Sequence, residues 1–173
     1  MRAGGVRPGP RGSSRAVTRP ARYYVVGDLD LREELERLCR LDALGGEEGR
    51  LASRPPELAI RRARRRPRNR LGFAVPAEWR LSVTAYPGAR EGDLKETLLH
   101  ELVHLHVGAK PGSRRWHGRE FKEALRRSMT EAYGVTGVRV ANSYHGAYAE
   151  AIERQRAAVA GIHPGQLGLD LAA

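Results

Sequence analysis

The sequence predicts an α+β domain with a leading helix, a small three-stranded sheet, one long helix after the sheet and further helices behind it. The ordered part of the chain is predicted to begin at YYVVGD, residues 23–28, and leucines at helical spacing follow from Leu31. Short strand-like stretches, interrupted by prolines, follow between residues 57 and 86. After residue 90, amphipathic segments bounded by capping signals and glycines complete the pattern.

The leading helix is predicted over DLDLREELERLCRLDALGG, which starts at Asp28. Asp28 or Asp30 can cap its start, and Gly45-Gly46 should stop it. The next segment, GGEEGRLASRPP, is predicted to be a loop. The leucines on one face of this helix are Leu31, Leu35, Leu38 and Leu41.

The predicted strands are ELAIRR, RLGFAVP and EWRLSVTAY. In the last of these, apolar residues from Trp79 to Ala85 alternate with polar ones, which is typical of a half-buried strand. Pro67 and Pro76 favour edge strands or turns. An arginine run lies between the first two strands, so a hairpin there would place it at a loop tip or a sheet edge.

The clearest helix is EGDLKETLLHELVHLHVGAKPG, in which Asp93 and Glu96 form a capping signal and Gly108 and Pro111 end the helix. Its leucines form one apolar stripe, while His100 and His104 lie side by side on roughly the opposite face. The leucines of that stripe are Leu94, Leu98, Leu102 and Leu105.

A second helix is predicted over WHGREFKEALRRSMTEAYG, where His117 shares a stripe with Phe121, Leu125 and Ser128 and therefore points inward. The last predicted helix is SYHGAYAEAIERQRAAVAG, which we expect on the outside of the domain.

The stretch HELVH fits the pattern H-E-x-x-H, whose histidines at i and i+4 can both reach one Zn²⁺ ion. Glu101 projects beside them and can take a proton from a metal-activated water, as a general base. A catalytic zinc needs three protein ligands and one open position, and His117 is the predicted third ligand beside His100 and His104. Glu120 and Glu123 are the alternative third ligands.

Other polar residues are predicted to lie at the surface or to assist the site. His106 lies on another face of its helix, and we expect it at the surface. If the zinc were only structural, a fourth ligand would be needed, and His145 or an acid is a candidate. Candidates for stabilising the oxyanion are Tyr133, Tyr144 and His145.

Positive charge is concentrated in two segments of a chain whose formal net charge is +11. Residues 1–27 hold six arginines and no acid, and the run RRARRRPRNR at 61–70 holds seven arginines and no acid. The rest of the chain is nearly neutral, so the basicity is local and favours a polyanionic partner such as DNA. The predicted nucleic-acid contacts are Arg61, Arg62, Arg64, Arg65, Arg66, Arg68 and Arg70.

Residues 1–22 are predicted to be a disordered basic tail, because they carry too little apolar surface to offset the entropy of ordering. The folded domain is predicted over residues 23–160, followed by a flexible tail at 161–173. The one cysteine, Cys39, excludes a disulfide framework and a cysteine-based zinc ribbon. No stretch has the apolar character of a signal peptide or a membrane span, so we expect a cytoplasmic protein with no membrane partner.

Taken together, TLLHELVHL, the later HGREF and the preceding RLSVTAYP resemble the SprT-like zinc metallopeptidase domain, over roughly Leu31 to Gly134. The resemblance implies a minimal zincin-like fold and a protein substrate. It implies that His100, His104 and His117 bind zinc and that Glu101 is the general base. It also implies action on proteins crosslinked to DNA, here through arginines because the family's frequent cysteine-rich ribbon is missing.

Two alternatives to a peptidase remain open from the sequence. A related minimal group with H-E-x-x-H and a later histidine hydrolyses small phosphorylated molecules, which predicts basic residues that line the zinc cleft. A nucleic-acid-binding module with structural zinc predicts a closed fourth position on the metal.

Overall fold

The computed structural model describes residues 23–68, 70–108, 117–138 and 146–161. The predicted tail at 1–22 lies outside this part of the chain, as does nearly all of the tail predicted at 161–173. The fold is a mixture of α-helices and small sheets of two and three strands, which confirms the predicted α+β class. The helices are α1 (Leu31–Leu38), α2 (Arg50–Ser53), α3 (Glu91–Val107), α4 (Arg119–Tyr133) and α5 (Ala147–Val159).

A two-stranded antiparallel ribbon, β1 (Val25–Val26) with β2 (Leu29–Asp30), leads directly into α1. Asp30 is the cap of α1, since its Oδ1 accepts the backbone N–H of Arg32 at 2.8 Å and of Glu33 at 3.3 Å. This selects one of the two aspartates that the sequence offered as caps.

The predicted length of the leading helix was wrong, because α1 ends at Leu38 and a separate 3₁₀ turn covers Asp42–Leu44 before Gly45. The cause is a contact with a residue near the end of α4. The carboxylate of Glu131 accepts the N–H groups of Asp42 and Ala43 at 2.7 and 2.9 Å, and so supplies partners for the start of a new turn. The predicted loop that follows also contains the short helix α2.

The three predicted strands are present as β3 (Glu57–Arg62), β4 (Gly72–Val75) and β5 (Arg80–Ala85). Their order is β3-β5-β4, with β5 parallel to β3 and antiparallel to β4. Strands β3 and β4 therefore do not pair with each other, and the hairpin considered from the sequence does not form. The arginine run instead crosses the carboxyl end of β5, because it must link the two strands on either side of that strand.

Central β5 is buried on both faces, which contradicts the predicted half-buried alternation. Ser82 and Thr84 are as inaccessible as Leu81 and Val83 between them. A central strand loses its exposure to solvent once other elements cover both of its faces. The prediction of edge strands or turns from the prolines is confirmed, since β4 is an edge strand and Pro76 opens a 3₁₀ turn.

Helix α3 lies at the centre of the domain and packs against β4, β5, α1, α4 and α5. It ends where predicted, with Gly108 in a positive-φ conformation. Its start differs, because Arg90 is the N-cap and Asp93 accepts both the backbone N–H and the guanidinium of Arg90, at 3.0 to 3.1 Å. Glu96 takes no part in this cap.

Glu96 instead holds α5 in place. One of its oxygens, Oε2, accepts the N–H groups of Gly146 and Ala149 at the start of α5, at 3.0 and 3.1 Å. In return, Glu153 of α5 accepts the N–H of Gly92 at the start of α3. The two helices are joined near their N-terminal ends by these reciprocal carboxylates, and α5 packs along α3 with its other face exposed.

Replacing Glu96 with Gln is expected to remove a pH dependence from the stability of the fold. Burial raises the pKa of the folded Glu96 carboxyl from 4.5 to about 7, although its two N–H bonds oppose the shift. The folded protein therefore binds this proton more tightly than the unfolded chain does. The free energy of unfolding should fall as pH rises from 4.5 through 7, by on the order of 1–3 kcal/mol for this group.

Urea unfolding of wild type and Glu96→Gln at about pH 4.5 and about pH 8 measures this difference. Glutamine keeps one oxygen to accept the same N–H groups, so only the titration is removed. Parallel changes of stability in the two proteins between these pH values would contradict the assignment.

No helix in the described ranges is both long enough and apolar enough to cross a membrane.

Candidate metal centre

Three histidine side chains meet where α3 packs against the start of α4. His100 and His104 come from successive turns of α3 and are buried, while His117 lies in the turn before Gly118, the N-cap of α4. The Nε2 of His117 is 3.1 Å from that of His100 and 3.2 Å from that of His104. The fold thus brings His117 into contact with His100, 17 positions earlier in the sequence, and with His104, 13 positions earlier.

Hydrogen bonding alone explains these distances poorly. The Nε2 of an imidazole carries either one hydrogen or one in-plane lone pair, so it forms one good hydrogen bond and not two. Two nitrogens that each lie 2.0–2.1 Å from a tetrahedral Zn²⁺ are about 3.3–3.4 Å apart. Two of the three nitrogen pairs have separations close to this value and all three nitrogens lie within 4.8 Å of one another, so they fit a single cation between them, and the donor set is one that zinc prefers.

The cluster has three members in the described part of the chain, and all of its ligand atoms lie within 4.8 Å of one another. Neither Glu120 nor Glu123 belongs to it, so the structure gives no support to these alternative third ligands. His106 is exposed, as expected. His145, the candidate fourth ligand, lies outside the described residues.

Phe121 fixes the orientation of the three imidazoles. Its ring is fully buried one turn into α4, with its centroid 5.0 Å from that of His100, 4.3 Å from His104 and 4.9 Å from His117. A single apolar ring in contact with all three rings restricts their rotamers before any ion is bound. The spacing of HGREF thus supplies a ligand and its support together.

One histidine of the cluster, His104, is held in the form that binds metals. Burial and the nearby His117 together lower the pKa of His104 from 6.5 to about 4. His104 is therefore neutral at physiological pH, with a lone pair available for a cation.

Glu101 is buried beside the cluster, one residue after His100. Burial raises the pKa of its carboxyl from 4.5 to about 7, and the charge of Arg70 opposes that shift. The side chain lies against the first residue of β4, since a Cβ added to Gly72 would be only 2.8 Å from the Glu101 Cγ and 2.7 Å from the Thr97 Cγ2. Glycine at 72 is what lets the edge strand approach α3 here.

The arginine run is exposed and extends toward this site. At one end, Arg62 donates to the carbonyl of Val25 at 3.0 Å, and Arg66 lies 6.0 Å from the Tyr86 ring centroid. At the other end, Arg70 is close enough to Glu101 to affect its pKa. The sequence alone did not indicate that this run ends near Glu101, because that depends on the strand order.

Tyr133 is not at the metal centre, so its suggested role at the oxyanion was wrong. It ends α4, which places it about 24 Å along the helix from His117 at 1.5 Å per residue. Its hydroxyl donates to the Glu34 carboxylate of α1 at 2.6 Å, and is therefore used in packing. Tyr144 and His145, the other two suggestions, lie outside the described residues.

An open cavity of about 460 Å³ adjoins the cluster at His117. It runs along the first two turns of α4, and most of its side chains are charged. This cavity was not predicted, because in the sequence its residues have the pattern of an ordinary solvated helix face.

The sequence of the chain matches a known protein family. The SprT-like family matches residues 48–145, which is more than half of the sequence and includes all three histidines and Glu101. The chain belongs to the SprT-like family. No curated protein and no solved structure matches it significantly. This member of the SprT-like family thus carries a metallopeptidase-like domain, and its three clustered histidines are able to bind a metal ion.

Metal affinity should depend on the clustered histidines and not on histidine content in general. We expect His104→Ala and His117→Ala each to weaken Zn²⁺ binding roughly 100-fold or more, because two ligands cannot replace a three-ligand site. Competition with a chromophoric chelator measures the affinity. The control is His106→Ala, since His106 is exposed two residues after His104 on the same helix. Equal losses in all three variants would show that the cluster is not the binding site.

Proposed function

We propose that this protein is a zinc-dependent endopeptidase in which Glu101 activates the attacking water, and that its substrates are proteins bound or crosslinked to DNA. The observation that carries the proposal is the convergence of three Nε2 atoms beside a buried glutamate. Membership of the SprT-like family supports the same activity.

The three imidazoles would hold one Zn²⁺ ion. When bound, such an ion lowers the pKa of a water molecule and polarises the carbonyl of the scissile peptide bond. With three protein ligands, one coordination position is left for water and substrate. A purely structural zinc would need a fourth protein ligand, and the described residues supply none to the cluster.

Glu101 accepts and then donates the proton that is transferred in the reaction. Its carboxylate takes one proton from the attacking water as the new C–O bond forms, and returns that proton to the nitrogen of the leaving amine as the C–N bond breaks. A pKa raised by burial to about 7 suits this role, because a group near neutrality both accepts and releases a proton readily. Contact with β4 at Gly72 holds the side chain in one orientation.

The arginine run would bind the DNA part of the substrate. Its seven arginines are exposed, carry no acid among them, and extend from the end of β3 to the edge of the metal centre. Phosphates bound along such a run would bring an attached protein close to His117 and Glu101, through contacts that do not depend on base sequence.

A hydrolase of small phosphorylated molecules is the second candidate, and one observation favours it. Basic side chains do reach the metal centre, with Arg70 near Glu101 and further cations in the cavity beside His117. The family match favours a peptide substrate. Turnover of a generic phosphomonoester in the absence of proteolysis would reverse this preference.

Replacing Glu101 with Gln should lower peptide hydrolysis at least 100-fold while zinc remains bound, because only the proton acceptor is lost. Cleavage of an unfolded basic protein, followed on a gel with and without single-stranded DNA, measures the activity. The matched control is Glu120→Gln, which removes an exposed carboxylate outside the cluster and should leave the rate unchanged. Cleavage by Glu101→Gln at the wild-type rate would exclude Glu101 as the base.

Neutralising part of the run, with Arg64→Gln, Arg65→Gln and Arg68→Gln together, should weaken binding of single-stranded DNA and its dependence on salt. Each lost phosphate contact reduces the slope of log affinity against log salt by about 0.7, so the slope should fall by up to roughly 2. Fluorescence anisotropy over a range of salt concentrations measures both quantities.

The control for this variant removes the same charge from exposed arginines elsewhere, namely Arg54, Arg127 and Arg154. If this control lowers the slope as much as the run variant does, binding follows net charge and the run is not a site.

A further inference from the structure

The cavity beside the histidine cluster has a composition that the proposed peptidase chemistry does not require. It holds about 460 Å³ and opens to solvent next to the metal centre. Among the described residues, its lining consists of His117, Gly118, Arg119, Lys122, Glu123 and Arg126. Three cations and one carboxylate give these side chains a formal balance of +2, with His117 taken as neutral.

Helical spacing explains why the cations meet. Arg119, Lys122 and Arg126 are separated by three and four residues, which places them on one face of α4 over about 10 Å of helix. Arg126 is held by an ion pair with Glu123 at 2.7 Å. Arg119 and Lys122 lie nearer than Glu123 and Arg126 to the start of α4, so the end of the cavity toward His117, its inner end, holds two of the three cations.

The backbone adds to this positive field. Gly118 is the N-cap of α4, and no side chain in the described residues caps the helix start. First-turn N–H groups and the helix macrodipole therefore favour an anion at the same end of the cavity. This contribution supports the one from the side chains and is the smaller of the two.

We propose that this cavity is a substrate subsite for an acidic side chain, aspartate or glutamate, adjacent to the scissile peptide bond. The inference rests on the proposed peptidase function. His117 belongs both to the histidine cluster and to the cavity wall. A peptide whose carbonyl lies at the metal therefore has a neighbouring side chain within reach of Arg119 and Lys122, where a carboxylate can form charge-assisted hydrogen bonds.

A single carboxylate fits the cavity better than a nucleic-acid strand does. Arg119 and Lys122 lie within about one helical turn at the inner end, which suits one carboxylate, whereas Arg126 further along is paired with Glu123 and is less available to a row of phosphates. The arginine run that would bind DNA belongs to a different part of the fold, between β3 and β4. The two basic surfaces thus suit different parts of one protein–DNA substrate.

The test uses zinc-loaded full-length protein and unstructured peptides that are identical except for one Glu or Gln, placed at each position in turn around a cleavable bond. At one position, Glu should raise kcat/KM about 10-fold or more over Gln. Binding of the same fluorescent peptides to Glu101→Gln, measured by anisotropy, should show the same preference without any cleavage.

Variants of the cavity should change the preference specifically. In Arg119→Gln/Lys122→Gln the ratio of Glu to Gln peptides should fall toward 1, and in Arg119→Glu/Lys122→Glu the preference should turn to a Lys peptide. Arg127→Gln is the matched control, an exposed cation on α4 outside the cavity, and should keep the wild-type ratio. Zinc content and thermal unfolding establish that each variant is folded.

The outcomes separate this inference from the proposed function. Cleavage with no preference at any position, or a preference that survives both cavity variants, overturns the subsite and leaves the peptidase intact. An acid preference in binding to Glu101→Gln, lost in the cavity variants and accompanied by no cleavage in wild type, supports the subsite and overturns the peptidase. Loss of oligonucleotide binding in the cavity variants, without loss of acid-peptide preference in either assay, assigns the cavity to nucleic acid and overturns the proposal.

Discussion

The burial of α3 is the constraint on which the rest of the structure depends, because this helix carries ionisable residues through the centre of the domain. Polar groups in an apolar interior are costly unless they are hydrogen-bonded or bind a cation. Asp93 is held by Arg90, Glu96 accepts the first N–H groups of α5, and the two motif histidines contact His117. The positions of α4 and α5 therefore follow in part from what the polar residues of α3 require.

The same burial sets the electrostatics of the candidate site. It raises the pKa of the Glu101 carboxyl and lowers that of His104, so both groups tend toward their neutral forms before a cation is present. A bound cation would supply the charge that this interior lacks. The basic residues lie at the margins, with Arg70 on the β4 side and the α4 cavity on the other. A centre of uncharged polar groups with cations at its margins suits a substrate that brings a peptide bond and negative charge together.

What the sequence predicted well is local. The spacing of HELVH, the inward direction of HGREF and the cap at Asp30 depend on residues within one or two helical turns, where periodicity is reliable. What it did not predict depends on distant partners. Glu131 shortens the leading helix from 88 residues away, and Glu96 caps α5 from 53 residues away. The parallel pairing of β3 with β5 decides where the arginine run lies. The glycine at position 72 allows β4 to come close to Glu101, and nothing in the strand pattern indicated that contact.

The most direct test of the proposed metal centre is a crystal structure of the zinc-loaded protein, with the ion located by its anomalous scattering. We expect one ion about 2.0–2.1 Å from the Nε2 atoms of His100, His104 and His117, with a water in the fourth position and the Glu101 carboxylate within hydrogen-bond reach of it. An ion bound by a fourth protein side chain, or bound away from His117, would contradict the proposed catalytic site.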